Sequence, residues 1–170
     1  MTDGKKGAIL KTHETCYFVS ENQKRSEMAV FLPHYHTKRV ISRRLMMTEE
    51  EKKNSVVIGA DTSVILDDVI YGKPADRDDA YRMLSSLSGH VHVVATGVAI
   101  YSGSLRKSFT EETRVEFYEL DEQQESLIAE YCDSNEPYDK AGAYAIQGAF
   151  GKYIDRINGD YFTVVGLPAA

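Results

Sequence analysis

Val56-Val57-Ile58-Gly59-Ala60-Asp61-Thr62 is where this chain first reads as the interior of a folded domain. Three β-branched residues in succession make the apolar run of a buried strand, and Gly59 ends it. That strand delivers a carboxylate and a hydroxyl, Asp61 and Thr62, just past its C-terminal end, the edge at which open α/β sheets bind ligands. A carboxylate there can hold Mg²⁺, or orient and deprotonate an attacking water. A turn-forming Asp is the simpler alternative.

Working toward the C-terminus, Val64-Ile65-Leu66 and Val69-Ile70-Tyr71 flank Asp67-Asp68 and predict a tight hairpin. A helix is predicted from Asp76, with Ala80, Met83, Leu84 and Leu87 on one face and Gly89 closing its end. Val91 to Tyr101 reads as a long strand, and Thr113, Val115 and Phe117 alternate as another. Asp121 with Gln124 resembles a capping box that opens a helix turning Leu127, Ile128, Tyr131 and Cys132 inward. Tyr153 to Ile157 and Tyr161 to Val165 bracket Asn158-Gly159-Asp160, the pattern of a second hairpin. Hairpins interspersed with crossover helices predict an α/β domain whose mixed, twisted sheet is flanked by helices.

Toward the N-terminus the pattern fades at residues 53–55. Residues 1–53 carry 11 Lys/Arg against 7 Asp/Glu, and residues 54–170 carry 9 against 19. The expectation is one domain overall, with an atypical, partly irregular segment at 1–53 and the α/β body at 54–170. A helix is predicted from His36 to Lys53, with Val40, Ile41, Leu45 and Met46 near one face. At 170 residues, 42% hydrophobic and 27% charged, the chain suits a single soluble core. An acidic body argues against nonspecific nucleic-acid binding. Apolar runs are too short for a membrane span, and no secretory leader is expected. Cys16 and Cys132 have no metal-site spacing, so reduced thiols in the cytoplasm are expected. His13, Cys16, His34 and His36 match no common zinc spacing.

Two further groups carry possible chemistry. Lys73, in Gly72-Lys73-Pro74, offers an ammonium whose backbone Pro74 restricts, suited to a nucleotide phosphate; a solvated surface lysine is the alternative. The run Asp139-Lys140-Ala141-Gly142-Ala143-Tyr144-Ala145-Ile146-Gln147-Gly148 is rich in small residues that permit close backbone approach. Gln147 carries both a donor and an acceptor, which suits a base edge. Tight structural packing, with Asp139 and Lys140 in a local ion pair, is the alternative.

In order and spacing, these blocks resemble the Maf family of nucleoside triphosphate pyrophosphatases. The resemblance is carried by Val57-Ile58-Gly59-Ala60-Asp61-Thr62, Gly72-Lys73-Pro74, Ala80-Tyr81-Arg82-Met83-Leu84, Leu87-Ser88-Gly89 and Thr96-Gly97-Val98-Ala99. It continues through Glu136-Pro137, Asp139 to Tyr144, Ile146-Gln147-Gly148, Gly159-Asp160-Tyr161 and Val165-Gly166-Leu167-Pro168. It implies a Maf-like fold and hydrolysis of dTTP, UTP or modified nucleotides to the monophosphate and pyrophosphate, with Mg²⁺ or Mn²⁺. It casts Asp61 as the base that activates water and as a metal ligand, and Lys73 as a phosphate contact. Thr62 and Gln147 match positions that set base preference, Asp139 and Lys140 match the substrate-binding block, and a homodimer is implied. The family's Ser-x-Ser-x-Arg-Arg phosphate loop has no match in the first fifty residues. The alternative is therefore a catalytically impaired or dead Maf-like protein, acting as a nucleotide-binding or cell-division regulatory partner. A structural module working by protein contact alone is the third reading.

Overall fold

Strand β1 (Val56–Leu66) runs unbroken through the residues the sequence places beyond its end, in a computed structural model that describes residues 46–169, the side chains of 122–124 excepted. Asp61 and Thr62 thus lie inside the strand, not past its tip. The cause is the partner strand β3 (Val91–Ser102), which pairs antiparallel from Val56 opposite Ser102 to Ile65 opposite Val93. The peptide groups of Gly59 and Ala60 find ladder partners across from Ala99 and Val98, so nothing ends the strand there. The run is also less buried than expected. Val56 and Ile58 are exposed, while Val57 between them packs with Ala99 and Tyr101.

β1 turns into β2 (Val69–Tyr71) through Asp67 and Asp68, both at positive φ (50° and 63°), the two-residue turn whose twist suits a hairpin. β4 (Leu105–Phe117) returns antiparallel to β3, and β5 (Ile154–Asn158) pairs with β4. The order is β2-β1-β3-β4-β5. Among the described residues every pairing is antiparallel, so the parallel pair of the expected mixed sheet is not found there; the α/β class itself holds.

Helix α1 (Glu49–Asn54) opens at Thr48, whose backbone is extended and whose hydroxyl caps the Glu51 amide, so the helix expected over 36–53 is not continuous through residues 46–48; residues 36–45 lie outside the described residues, as do Cys16 and the histidines at 13 and 34. Helix α2 (Arg77–Leu87) starts where Asp76 accepts a hydrogen bond from the Asp79 amide (2.9 Å). It buries Ala80, Met83, Leu84 and Leu87 as the period demands, and each of the two leucines contributes about 1.5–3 kcal/mol by leaving water. Helix α3 (Glu122–Cys132) buries Ile128, Tyr131 and Cys132, but Leu127 is 37% exposed, contrary to its expected inward turn. Leu127 lies five positions from Cys132, about 140° around the helix, outside the stripe the core can cover. The side chain of Gln124, and with it the proposed capping box, lies outside the described residues.

The predicted second hairpin does not form. Tyr161–Val165 is a short helix, α4, not a strand. Asp160 caps it, accepting from the Thr163 amide (2.7 Å) and hydroxyl (3.0 Å). Gly159, at φ 137°, passes so near β4 that a Cβ would stand 2.5 Å from Thr113 Oγ1. Thr113 accepts from the Asp160 amide and donates to the Asp160 carbonyl, both at 2.9 Å, and so pins the helix start to the sheet. That docking outweighs the modest strand preference of Thr163, Val164 and Val165. Aromatic residues fill the core: Phe117 packs edge-on against Tyr144 (4.8 Å) and tilted against Phe150 (5.4 Å).

Candidate active site

A cleft of about 360 Å³ opens where β1, the loop after β2, the 139–147 segment and the end of α4 converge. All six residues singled out from the sequence lie on its wall: Asp61, Thr62, Lys73, Asp139, Lys140 and Gln147. Side chains alternate along a strand, so Asp61 and Thr62 point to opposite faces of β1. Both border the cleft because it wraps the edge of β1, which β2 covers only at Val64–Leu66. Asp61 is paired with Gly97 on β3, which brings no side chain of its own to that side.

Lys73 is exposed at the cleft wall, next to the buried Pro74. Its loop is tied to the opposite wall by the Gly142 amide, which donates to the Gly72 carbonyl (3.0 Å). Gly142 sits at φ 69°, and a Cβ there would meet the Val64 side chain at 3.0–3.1 Å; both facts require glycine. Asp139 and Lys140 form the anticipated pair, with the Lys140 ammonium 2.7 Å from each carboxylate oxygen. Exposed as it is, that contact is worth about 0–1 kcal/mol, and it orients the ammonium more than it stabilises the fold.

Gln147 is exposed on a loop held from behind by Glu136, whose Oε1 accepts from the Ala149 amide (2.9 Å). A Cβ on Gly148 would lie 1.8 Å from that oxygen, so the glycine admits the carboxylate. Tyr131 donates to the same oxygen at 3.4 Å, and burial, followed by the neighbouring Glu136 charge, raises its pKa. Beneath the cleft, Tyr144 meets His92 Nε2 at 2.8 Å. Burial pushes His92 down to about 4 and raises Tyr144, so both are neutral near pH 7 and neither supplies a charge to the cleft.

Sequence reasoning missed three contributors. Val164, Val165 and Gly166 of the α4 end close one side of the cleft, hidden by the mistaken strand reading. The fully buried Thr96 lies opposite Thr62 in the β1–β3 register and touches its hydroxyl at 2.8 Å. Its only signal was a polar residue interrupting an apolar strand. Glu136 entered only as part of a motif, with no task attached.

Among the described residues no three His, Cys, Asp or Glu side chains cluster as a metal cage. The cleft does hold two carboxylates, Asp61 and Asp139. Oxygen donors in that number suit Mg²⁺, which is commonly held by one or two carboxylates together with substrate phosphates.

A family model described as "Maf-like protein" matches residues 10–170, running across the boundary expected near residue 53. A dTTP/UTP pyrophosphatase of Koribacter versatilis (strain Ellin345) is 44% identical over 138 residues, covering 81% of this chain and 70% of the relative. The dTTP/UTP pyrophosphatase of Thermoanaerobacter sp. (strain X514) is 45% identical over 129 residues, 75% of this chain and 66% of its own length. That of Bacillus pumilus (strain SAFR-032) is 42% identical over 149 residues, 79% of this chain and 77% of its own.

Proposed function

Because this chain belongs to the Maf family, we propose that it is a nucleoside triphosphate pyrophosphatase acting on dTTP and UTP. Water attacks the α-phosphorus, the α–β anhydride bond breaks, and the products are the nucleoside monophosphate and pyrophosphate. The observation that carries the reading is the meeting of one carboxylate, two ammonium groups and one side-chain amide, namely Asp61, Lys73, Lys140 and Gln147, around a single cleft.

In this reading the Asp61 carboxylate orients the water and takes its proton. Lys73 and Lys140 lie against the triphosphate and offset the charge that builds as pyrophosphate leaves. Thr62 and Gln147 contact the base edge. Asp61 and Asp139 would hold Mg²⁺ or Mn²⁺ together with the substrate phosphates, and the ion would supply further charge neutralisation. Val164 and Val165 give that side of the cleft an apolar wall. We place the protein in the cytoplasm, where a free thiol such as Cys132 persists; among the described residues no helix is long and apolar enough to cross a membrane.

The test is pyrophosphate release across a panel of nucleoside triphosphates with Mg²⁺ or Mn²⁺. dTTP and UTP are expected to be turned over in preference to CTP, ATP and GTP, and Asp61→Asn to lose roughly 10²–10⁴-fold in kcat. Binding of nucleotide with no pyrophosphate released, or full activity in Asp61→Asn, overturns the reading.

A further inference from the structure

Two threonine hydroxyls and one carbonyl form a chain behind the cleft wall. Thr96 Oγ1 lies 2.7 Å from the Thr163 carbonyl oxygen and 2.8 Å from Thr62 Oγ1. A carbonyl only accepts, so the single Thr96 proton is spent on Thr163. The contact between the two hydroxyls must then run the other way, with Thr62 donating to Thr96. Thr62 has no second proton, so the face it turns to the cleft offers lone pairs alone.

Among the described residues nothing lets this arrangement reverse. Thr96 is fully buried, and Thr163 is held in place by its bonds to Asp160 at 2.7 and 3.0 Å. The cleft side is left open by Gly166, where a Cβ would come within 3.4 Å of Thr62 Oγ1.

We propose that Thr96 is a positioning residue that fixes Thr62 as a hydrogen-bond acceptor and thereby selects pyrimidines carrying an imide N–H. Uracil and thymine present a donor at N3, whereas cytosine presents an acceptor there, which would face the Thr62 lone pairs unpaired. The inference rests on the pyrophosphatase reading above and adds the origin of base choice within it. Thr96 itself touches no substrate; it acts through the Thr62 proton.

The experiment compares kcat/KM for UTP and CTP in the unmutated protein, Thr96→Val and Thr96→Ser. Valine keeps the shape but frees the Thr62 proton to turn toward the cleft, so the UTP:CTP ratio is expected to fall roughly tenfold. Serine keeps the chain of hydroxyls and is expected to hold the ratio within about twofold. A loss of packing alone would slow both substrates and leave the ratio unchanged, and an unchanged ratio in Thr96→Val overturns the inference while leaving the pyrophosphatase reading intact. The unmutated protein supplies a second measurement that needs no variant to fold. N3-methyl-UTP has no N3 proton and is expected to compete with UTP roughly tenfold more weakly than UTP itself; equal competition overturns the inference. A protein that turns over no nucleoside triphosphate removes both readings together.

Discussion

His92 Nε2 stands 2.8 Å from the Tyr144 hydroxyl, with the imidazole 1% and the phenol 5% exposed, directly behind the cleft. Phe117 packs edge-on against both rings, at 4.9 and 4.8 Å. Burial holds the folded imidazole down from 6.5 to about 4, against an opposing contribution from the His90 backbone. Between those values an unfolded chain binds a proton that the folded one refuses. Stability is therefore lost as the pH falls through that window, and this group adds nothing further below about 4. The lowering corresponds to about 3 kcal/mol over the window. Urea midpoints from pH 7 to 4.5, compared between the unmutated protein and His92→Gln, isolate the effect from the carboxylates that titrate nearby. The variant is expected to show the shallower slope; parallel slopes would mean His92 is protonated in the fold.

Much of this environment was legible beforehand, and the reason is local. The α2 stripe, the Asp67-Asp68 turn and the long β3 run are each specified by residues within one element, and the structure keeps them. The six cleft residues were likewise found as short motifs, and the fold brings them together. What escaped depended on partners far along the chain. β1 continues past Gly59 because β3 pairs with it, and Tyr161–Val165 coils because Thr113 captures Asp160, 47 positions away. A short β-branched run offers no internal means of choosing helix over strand when docking decides the matter.

Lys73→Ala is expected to weaken triphosphate binding more than it slows chemistry. A charge-assisted contact to phosphate contributes about 1.5–3 kcal/mol, so KM for UTP should rise roughly tenfold to a hundredfold. Because the contact is electrostatic at an exposed position, the penalty should shrink as salt rises. Steady-state kinetics at low and high ionic strength read both effects. An unchanged KM would remove Lys73 from the phosphate site.

Two glycines on facing walls of the cleft should respond differently to the same substitution. Gly142→Ala places a methyl 3.0–3.1 Å from the Val64 side chain at φ 69°, whereas Gly72→Ala meets nothing within 4 Å. Strain and overpacking together make Gly142→Ala destabilising by about 2–3 kcal/mol, while Gly72→Ala should lie within about 0.5 kcal/mol of neutral. The Gly142 amide bonds the Gly72 carbonyl, so only the first variant should also disturb activity through Lys73 and Lys140. Thermal denaturation with parallel pyrophosphate assays checks the contrast, and equal melting points for the two variants would refute it.

Asp160 does two things at once, and its removal should show them separately. Its carboxylate caps α4 through Thr163, while its backbone, independent of side chain, stays bonded to Thr113. Asp160→Ala therefore loses the cap but keeps the anchor, at a cost of about 1 kcal/mol in stability. Asp160→Asn retains an acceptor and should recover most of that. Thr113→Val, in contrast, takes the anchor away and leaves half-buried backbone groups of Asp160 without their Thr113 partner, which costs about 1–3 kcal/mol. Because Val164, Val165 and Gly166 close the cleft, freeing α4 should also admit water to it. The expected order of pyrophosphate-forming activity is Asp160→Asn, then Asp160→Ala, then Thr113→Val. Were Asp160→Ala to fall below Thr113→Val, the carboxylate would have a duty in the cleft beyond capping the helix.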